Sequence, residues 1–251
     1  MSTQQMVRMN IETLSAGNDP MGTAICDYHL FGRAAQLRVL SSVFEEDEMP
    51  VGHLFRTFDE MPRLEQLAVK LAYGRTLDVG AGAGCHSIVL QKRGVDVKAI
   101  DISPLSCKVM AERGVNDVEC VNVFNPKLQG RFDTLLLLMN GTGVAGRLER
   151  LPLLLNRLKE LMCDNGQILV DSSDLKYVYK NDDGTYDIDQ TTRYYGEVDY
   201  QMIYKNVKGK SFDWLYVSSE LLATVCGNCG LKCEIVEEGN HYDYLAKISK
   251  D

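Results

Sequence analysis

From residue 75 onward, short apolar runs of strand length alternate with segments whose apolar residues recur at helical spacing. The pattern predicts strands at 76–79, 97–100, 118–123, 132–138 and 167–170. It predicts helices between them at 85–93, 103–113 and 148–161. Strands that alternate with helices in this way are typical of a parallel sheet covered by helices on both faces, and thus of an α/β domain.

The alternation is interrupted at 172–217 and then resumes. The interrupting segment contains eight of the chain's twelve tyrosines and its only tryptophan, Trp214. Two strands at 193–204 and 211–217, joined across 208–210, are predicted to form a β-hairpin there. After a helix at 220–229, strands at 232–236 and 244–248 flank a tight turn, so this closing pair must be antiparallel.

The first 74 residues follow a different pattern. Residues 1–20 are polar and are expected to be flexible, and helical spacing then runs from Thr23 to Phe44. A further helix is predicted between Pro62 and Gly74. We therefore predict a flexible terminus at 1–20, a helical cap at 21–74 and a core at 75–251 with an insertion at 172–217.

Composition and charge exclude several classes of protein. The 251 residues carry a net charge of -8 without a basic patch, which argues against nucleic acid as a partner. No apolar stretch is long enough to span a membrane, and eight dispersed cysteines indicate reduced thiols in the cytoplasm. Cys226, Cys229 and Cys233 lack a fourth ligand for a closed zinc site, so no metal is expected.

The most informative stretch is the run Thr76-Leu-Asp78-Val-Gly80-Ala-Gly82-Ala-Gly84. A strand ends in an acidic residue, and three glycines at alternate positions precede a helix. Glycine there lets a ligand approach the main chain, and the helix begins with free N–H groups. The next strand ends at Asp101, where a carboxylate can accept hydrogen bonds from both hydroxyls of a ribose.

These residues resemble the class I S-adenosylmethionine (SAM)-dependent methyltransferases. The resemblance rests on Asp78, the three glycines and Asp101, and the closing antiparallel strands match it. It implies a Rossmann-like methyltransferase fold: a seven-stranded, mostly parallel sheet with an antiparallel last strand, a helical N-terminal cap and a β-hairpin insertion. A nicotinamide oxidoreductase is the competing interpretation, but its fingerprint requires glycine or alanine where Cys85 stands.

The resemblance also implies a set of cofactor contacts. The glycine loop would line the methionine part of SAM, Asp101 would hold the ribose, and the end of the third strand would lie beside the adenine. The end of the fourth strand falls at the reaction side. The implied cofactor residues are Asp78, Gly80, Ala81, Gly82, Gly84, Asp101, Ile102, Asn122, Val123, Met139 and Asn140.

The acceptor and any catalytic base stay open at this stage. Candidates for a base or a reaction-side group are Tyr28, His29, Asn140, Tyr195 and His241, whereas His86 is interpreted as a helix cap or a cofactor neighbour. The tyrosine-rich insertion is either a substrate lid or plain hairpin packing. We expect a small-molecule acceptor, with a protein acceptor as the second option and nucleic acid as the least favoured. A SAM-binding sensor or partner subunit without catalysis is the alternative function, and the oligomeric state is undetermined.

Overall fold

The computed structural model describes residues 11–188 and 193–251. Its helices are α1 (Pro20–Phe31), α2 (Arg63–Leu71), α3 (Cys85–Lys92), α4 (Pro104–Glu112), α5 (Leu151–Leu161) and α6 (Ser219–Asn228). Its strands are β1 (Leu37–Leu40), β2 (Asp47–Glu48), β3 (Arg75–Val79), β4 (Asp96–Asp101), β5 (Asp117–Cys120), β6 (Phe132–Leu137), β7 (Met162–Ser173), β8 (Glu197–Tyr204), β9 (Val207–Lys208), β10 (Phe212–Leu215), β11 (Leu231–Glu238) and β12 (Asp243–Lys250). Within these ranges no helix is long and apolar enough to cross a membrane.

The central sheet has seven strands in the order β11-β12-β7-β6-β3-β4-β5. The strands from β7 to β5 pair in parallel, and β12 runs antiparallel to both of its neighbours. This confirms the predicted α/β fold with a mostly parallel sheet and an antiparallel last strand. Because β3, β4, β6 and β7 are parallel, their carboxyl ends meet at one edge of the sheet.

The central strands of this sheet, β3 and β6, are buried on both faces. Successive side chains of a strand point to opposite faces, so Leu135 and Leu137 of β6 pack with α5 while Leu136 packs with α2. The α5 stripe predicted from leucine spacing is buried, at no more than 2% exposure for Leu154 and Leu158. Burial of a leucine side chain contributes about 1.5–3 kcal/mol, so these contacts fix the sheet rigidly under its carboxyl edge.

A second sheet of five strands combines two strands from the predicted cap with three from the predicted insertion. Its order is β10-β8-β1-β2, with β9 paired to the end of β8. The predicted hairpin is confirmed, since β8 and β10 pair antiparallel with Trp214 opposite Val198. The tight turn of the hairpin lies at Lys205, whose φ is 52°, and not at 208–210 as predicted.

The cap prediction is wrong in part. The first helix ends at Phe31, where Gly32 adopts a left-handed φ of 67°, and the chain then forms β1, which pairs along β8. Residues predicted as helix up to Phe44 therefore join the insertion in one sheet. The few apolar residues there fit both helical and strand periods, and pairing with β8 decides between them.

The prediction of a flexible terminus at 1–20 is also wrong for the described part of that segment. Asp19 is fully buried, caps α1 by accepting from the Gly22 N–H and also contacts Ser103. The N–H of Leu14 donates to the carbonyl of Ile102 at 2.8 Å. Residues 11–20 are thus held beside the end of β4, and residues 1–10 lie outside the described part of the chain.

Candidate functional site

The three glycines after β3 adopt the backbone conformation that the sequence predicts. Gly80, Gly82 and Gly84 have φ values of 72°, 58° and 79°, all in the left-handed region. A Cβ on Gly80 would meet no atom within 4 Å, whereas one on Gly84 would approach Val115 at 3.0 Å. Gly80 therefore borders open space, while Gly84 is needed for close packing of the loop.

Asp101 ends β4 and is fixed by two backbone groups. Its Oδ2 accepts from the Gly82 N–H at 2.9 Å, and its Oδ1 accepts from the Ser103 N–H at 2.8 Å. Burial raises the pKa of Asp101 to about 6, against the opposing effect of these hydrogen bonds. The next residue, Ile102, exposes 37% of its surface, so an apolar patch adjoins the carboxylate.

Asp78 lies beneath the glycine loop. It is 2% exposed, and its Oδ2 accepts a 2.6 Å hydrogen bond from the hydroxyl of Ser87 in α3. Burial raises the pKa of Asp78, and the bond from Ser87 acts against that rise. The side chain predicted among the cofactor contacts therefore joins β3 to α3 and orients the loop above it.

Three buried side chains, Arg56, Glu65 and His86, form a charged hydrogen-bond network beside α2. Nη2 of Arg56 contacts both carboxylate oxygens of Glu65, at 2.7 and 2.6 Å, and Nε2 of His86 lies 2.8 Å from Oε2 of Glu65. Burial acts to raise the pKa of Glu65, but hydrogen bonding to His86 and the Arg56 charge lower it overall. Burial acts to lower the pKa of His86, but Cys85 and Glu65 outweigh it and the pKa is raised well above its ordinary value.

Arg56 of this network also lines a cleft, which we call the Arg56 cleft and which has a volume of about 500 Å³. It is lined by Tyr28, Gly52, His53, Phe55, Arg56, Glu60 and Pro62. The side chain of Arg56 is nine-tenths buried, and its Nε has no hydrogen-bond partner among the described residues. A buried N–H without a partner is costly, so this group is suited to donate a hydrogen bond to a ligand. Arg56 was not among the predicted site residues, because a single arginine between two helices carries no signal in the sequence.

The loop that follows β6 is held by the end of β7. Met139 and Asn140 have φ values of 66° and 63°, which non-glycine residues seldom adopt. The carboxylate of Asp171 accepts from the Met139 N–H at 3.1 Å and from the Gly141 N–H at 3.0 Å. Burial raises the pKa of Asp171 to about 6. Asp171 thus stabilises a strained loop at the carboxyl edge of the sheet.

The insertion is fastened to the same loop. Nδ2 of Asn140 and the hydroxyl of Thr142 both donate to the carbonyl of Leu215, at 3.3 and 2.9 Å. A Cβ on Gly143 would lie 1.9 Å from the indole of Trp214, so only glycine allows the hairpin to seat there. The loop 139–143 and the insertion therefore form one packed unit.

A second cleft, the tyrosine cleft, lies between the insertion and the ends of β7 and β11. It encloses about 260 Å³ and is lined by Phe44, Ser173, Leu175, Tyr177, Val178, Tyr200, Tyr216 and His241. The hydroxyls of Tyr200 and Tyr216 are 3.0 Å apart and share a hydrogen bond. The insertion thus supplies cleft walls as well as hairpin packing, and His241 is the one candidate base that lines this cleft.

Other predicted site residues are engaged elsewhere. Nε2 of His29 pairs with Glu112 at 3.2 Å, and His29 lines neither cleft. The Tyr195 hydroxyl donates to Asp174 at 2.8 Å, and Tyr195 also lines neither cleft. The Asn122 side chain accepts from the Phe124 N–H at 3.0 Å in a local turn.

Val123 is only 4% exposed and belongs to the core. The glycine loop, Asp101 and Ile102, in contrast, lie together at the carboxyl edge of the central sheet. Met139 and Asn140 follow the neighbouring strand β6 at that same edge, because β3, β4 and β6 run parallel. This edge of an open α/β sheet is where ligands bind.

Comparison with known proteins identifies the family of this chain. A SAM-dependent methyltransferase from Bacteroides fragilis, solved in complex with S-adenosyl-L-homocysteine, is 48% identical, with a TM-score of 0.91 over 97% of this chain and 99% of that one. An uncharacterized methyltransferase from Staphylococcus carnosus is 24% identical over 197 residues, which are 78% of this chain and 87% of that protein. No family model matches the chain.

A more distant structure shows the same fold. A SAM-dependent methyltransferase from Clostridium acetobutylicum is 14% identical, with a TM-score of 0.54 over 73% of this chain and 87% of that one. The identity and coverage of the Bacteroides fragilis structure decide against the nicotinamide alternative. The chain belongs to the class I SAM-dependent methyltransferases.

Proposed function

We propose that this enzyme transfers the methyl group of SAM to a small organic acceptor bound at the carboxyl edge of the central sheet. The observation that carries the proposal is the hydrogen bond between Asp101 and the glycine loop, in which Oδ2 of Asp101 accepts from the Gly82 N–H. This bond lies beside the open space at Gly80. A carboxylate next to an open, glycine-lined backbone suits an adenosine ribose. The 48% identity to a structure solved with S-adenosyl-L-homocysteine supports the same assignment.

The cofactor assignment extends along the sheet edge. Gly80, Ala81 and Gly82 would face the methionine part of SAM, and Asp101 would accept from the ribose hydroxyls. The exposed side chain of Ile102 would pack against the adenine, with Asn122 and Val123 contributing to that end of the pocket. Asp78 and Gly84 would support the loop from below, because their own contacts are already made within the protein.

We assign the Arg56 cleft to the carboxylate end of the methionine part. The segment that lines the cleft packs against the glycine loop, since a Cβ on Gly82 would lie 3.7 Å from Leu54, which stands between the lining residues His53 and Phe55 in the sequence. Arg56 offers a buried Nε that lacks a partner among the described residues, and a guanidinium is well suited to bind a carboxylate. Tyr28, a candidate base from the sequence, lines this cleft and would serve in binding there.

The chemistry follows from these contacts. SAM, when bound, supplies a methyl group that its positively charged sulfur already activates. The protein's task is to align the acceptor with that methyl and to exclude water. The loop 139–143, including Met139 and Asn140, lies at the reaction side, and Asp171 holds its backbone in place. The insertion seats on this loop through Trp214.

A small molecule is the acceptor that we favour. The tyrosine cleft, at about 260 Å³, admits a compact ligand, and the net charge of -8 disfavours nucleic acid. A protein acceptor would have to insert a single side chain. All eight cysteines are free thiols, which supports a reducing compartment such as the cytoplasm as the place of action.

The experiment that tests this function is transfer of an isotope-labelled methyl group from SAM into a cell extract. The extract is afterwards separated into small-molecule, protein and nucleic-acid fractions. We expect label in the small-molecule fraction with the wild type and far less with an Asp101→Ala variant. Label confined to protein or nucleic acid would contradict the acceptor class, and no label in any fraction would favour a SAM sensor or a partner subunit.

A further inference from the structure

We propose that the tyrosine cleft binds the acceptor as a positively charged amine, so that the methyl group is transferred to nitrogen. This inference rests on the proposed function and specifies its substrate class. It derives from three features of the cleft: its aromatic walls, its neutral hydroxyl pair and the acidic segment beside it.

The walls of the cleft are mainly aromatic. Phe44 enters from the segment after β1, Tyr177 from the turn after β7, and Tyr200 and Tyr216 from the hairpin. Tyr177 is fixed by stacking on Tyr242 at 4.8 Å between ring centroids. Aromatic faces attract cations through the ring quadrupole, and the attraction is greatest where water is excluded.

The polar groups inside the cleft are neutral oxygens. Burial raises the pKa of Tyr200 and of Tyr216, so both phenols stay protonated at neutral pH. Their shared hydrogen bond of 3.0 Å uses one O–H and leaves oxygen lone pairs that can accept from an N–H. The hydroxyl of Ser173, on β7, adds a third such oxygen. An ammonium group donates hydrogen bonds to oxygens of this kind.

The charges beside the cleft are predominantly negative. Phe44 is followed directly by the acidic run 45–48, in which Glu46 pairs with Arg38. The other three carboxylates of this run form no ion pair within 11–188 and 193–251. Asp47 is close enough to raise the pKa of Tyr200 further.

Basic groups near the cleft are fewer. His241 lines it, and Nζ of Lys176 lies 4.4 Å from the ring centroid of Tyr186, outside the lining. The balance attracts a cation and repels an anion.

The cleft is joined to the reaction side of the sheet. Ser173 lies two residues beyond Asp171 on β7, so the two side chains point to the same face. Asp171 in turn binds the backbone of Met139 and Gly141. The cleft therefore lies along the same face of β7 as the carboxylate that holds the loop 139–143.

Transfer to nitrogen requires a neutral amine with a free lone pair. The entering ammonium gives one proton to the imidazole of His241, which passes it to solvent. The nitrogen lone pair then forms a bond to the methyl carbon while the bond from sulfur to that carbon breaks, and its electron pair stays on sulfur. S-adenosylhomocysteine and the methylated ammonium are the products.

A binding experiment with a matched pair of probes tests this inference. Calorimetry would compare 2-phenylethylamine with 2-phenylethanol, its neutral counterpart, in the presence and in the absence of S-adenosylhomocysteine. We expect the amine to bind the wild type about ten-fold more tightly than the alcohol. Tyr216→Leu should reduce amine binding by a similar factor, whereas Tyr186→Leu, on an exposed tyrosine outside the lining, should not.

A second variant covers the case in which Tyr216→Leu fails to fold. Glu45→Gln combined with Asp47→Asn changes only exposed charges and should weaken amine binding without affecting the alcohol. Equal binding of the two probes, absent amine binding, or indifference to both variants would overturn the inference. Failure of the wild type to bind S-adenosylhomocysteine would instead overturn the cofactor assignment, and the titration without that ligand would still test the cleft.

Discussion

The backbone N–H of Gly82 donates a 2.9 Å hydrogen bond to Oδ2 of Asp101, across the gap between the ends of β3 and β4. This bond connects the glycine loop to the carboxylate that we assign to the ribose. It also stabilises the ionised form of the carboxylate. Burial disfavours that form more strongly, so the pKa of Asp101 is still raised to about 6. Cofactor binding should therefore depend on the protonation state of this one side chain.

The first prediction concerns that dependence. Ribose hydroxyls donate to an ionised carboxylate, so S-adenosylhomocysteine should bind best above the pKa of Asp101. We expect affinity to be constant above pH 7 and to fall as the pH drops through about 6. Calorimetric titration between pH 5 and 8 measures it. An Asp101→Asn variant should bind more weakly at pH 7 and show a flat profile, and a profile equally steep in that variant would place the titrating group elsewhere.

The second prediction concerns the contact between Gly143 and Trp214. A Cβ at Gly143 would lie 1.9 Å from the indole, so Gly143→Ala must displace the hairpin. We expect a loss of about 1–3 kcal/mol in the free energy of unfolding, the usual cost of overpacking, together with reduced turnover. Urea denaturation measures the stability.

The chain offers a matched control for this substitution. Gly227 lies in α6, its φ is not positive, and a Cβ added to it would meet no atom within 4 Å. Gly227→Ala should stabilise the protein by about 0.5–1 kcal/mol, because alanine is the better helix former. If Gly143→Ala were as harmless as this control, the hairpin would not be seated on the loop through Trp214.

The third prediction concerns the ion pair between His86 and Glu65. The pKa of His86 is raised well above its ordinary value, so its stabilising contribution is complete below about pH 6.5 and is lost as the pH rises through the folded-state pKa. NMR titration should find His86 still protonated above neutral pH. In Glu65→Gln the pKa of His86 should fall, because the variant removes the carboxylate that raises it. A neutral His86 at pH 7 in the wild type would refute the ion pair.

The fourth prediction concerns Asp171. Because burial raises its pKa to about 6, the folded protein binds a proton more readily than the unfolded chain between about pH 4 and 6. As the pH rises through that window, the free energy of unfolding of the wild type should decline relative to Asp171→Asn by up to about 3 kcal/mol. Denaturation of both proteins across pH 4–7 gives the difference. A constant difference would mean that the fold does not raise the pKa of Asp171.

Much of the central sheet could be predicted because its signals are local. The strands around Asp78 and Asp101 have continuous apolar runs, and glycine spacing indicated the loop between them. The leucine stripe of α5 required only helical periodicity. These features need no knowledge of distant contacts.

The second sheet and the clefts could not be predicted in this way. Residues from Leu37 to Phe44 carry a pattern that fits a helix, and only pairing with β8, more than 150 residues away, makes part of it a strand. Arg56 gives no local signal because its role depends on Glu65 and on the cleft above it. Tyr195 and His29 were plausible bases by residue type, but partners elsewhere in the fold occupy their side chains.

Calorimetric titration with S-adenosylhomocysteine tests the central claim most directly. The proteins compared are the wild type, Asp101→Ala and Asp96→Ala. Asp96→Ala is the control, because it removes an exposed carboxylate at the opposite end of the same strand. We predict that the wild type and Asp96→Ala bind equally and that Asp101→Ala loses about 1–3 kcal/mol, the cost of hydrogen bonds to a charged group. Equal binding by all three proteins, or no binding by the wild type, would contradict the assigned site.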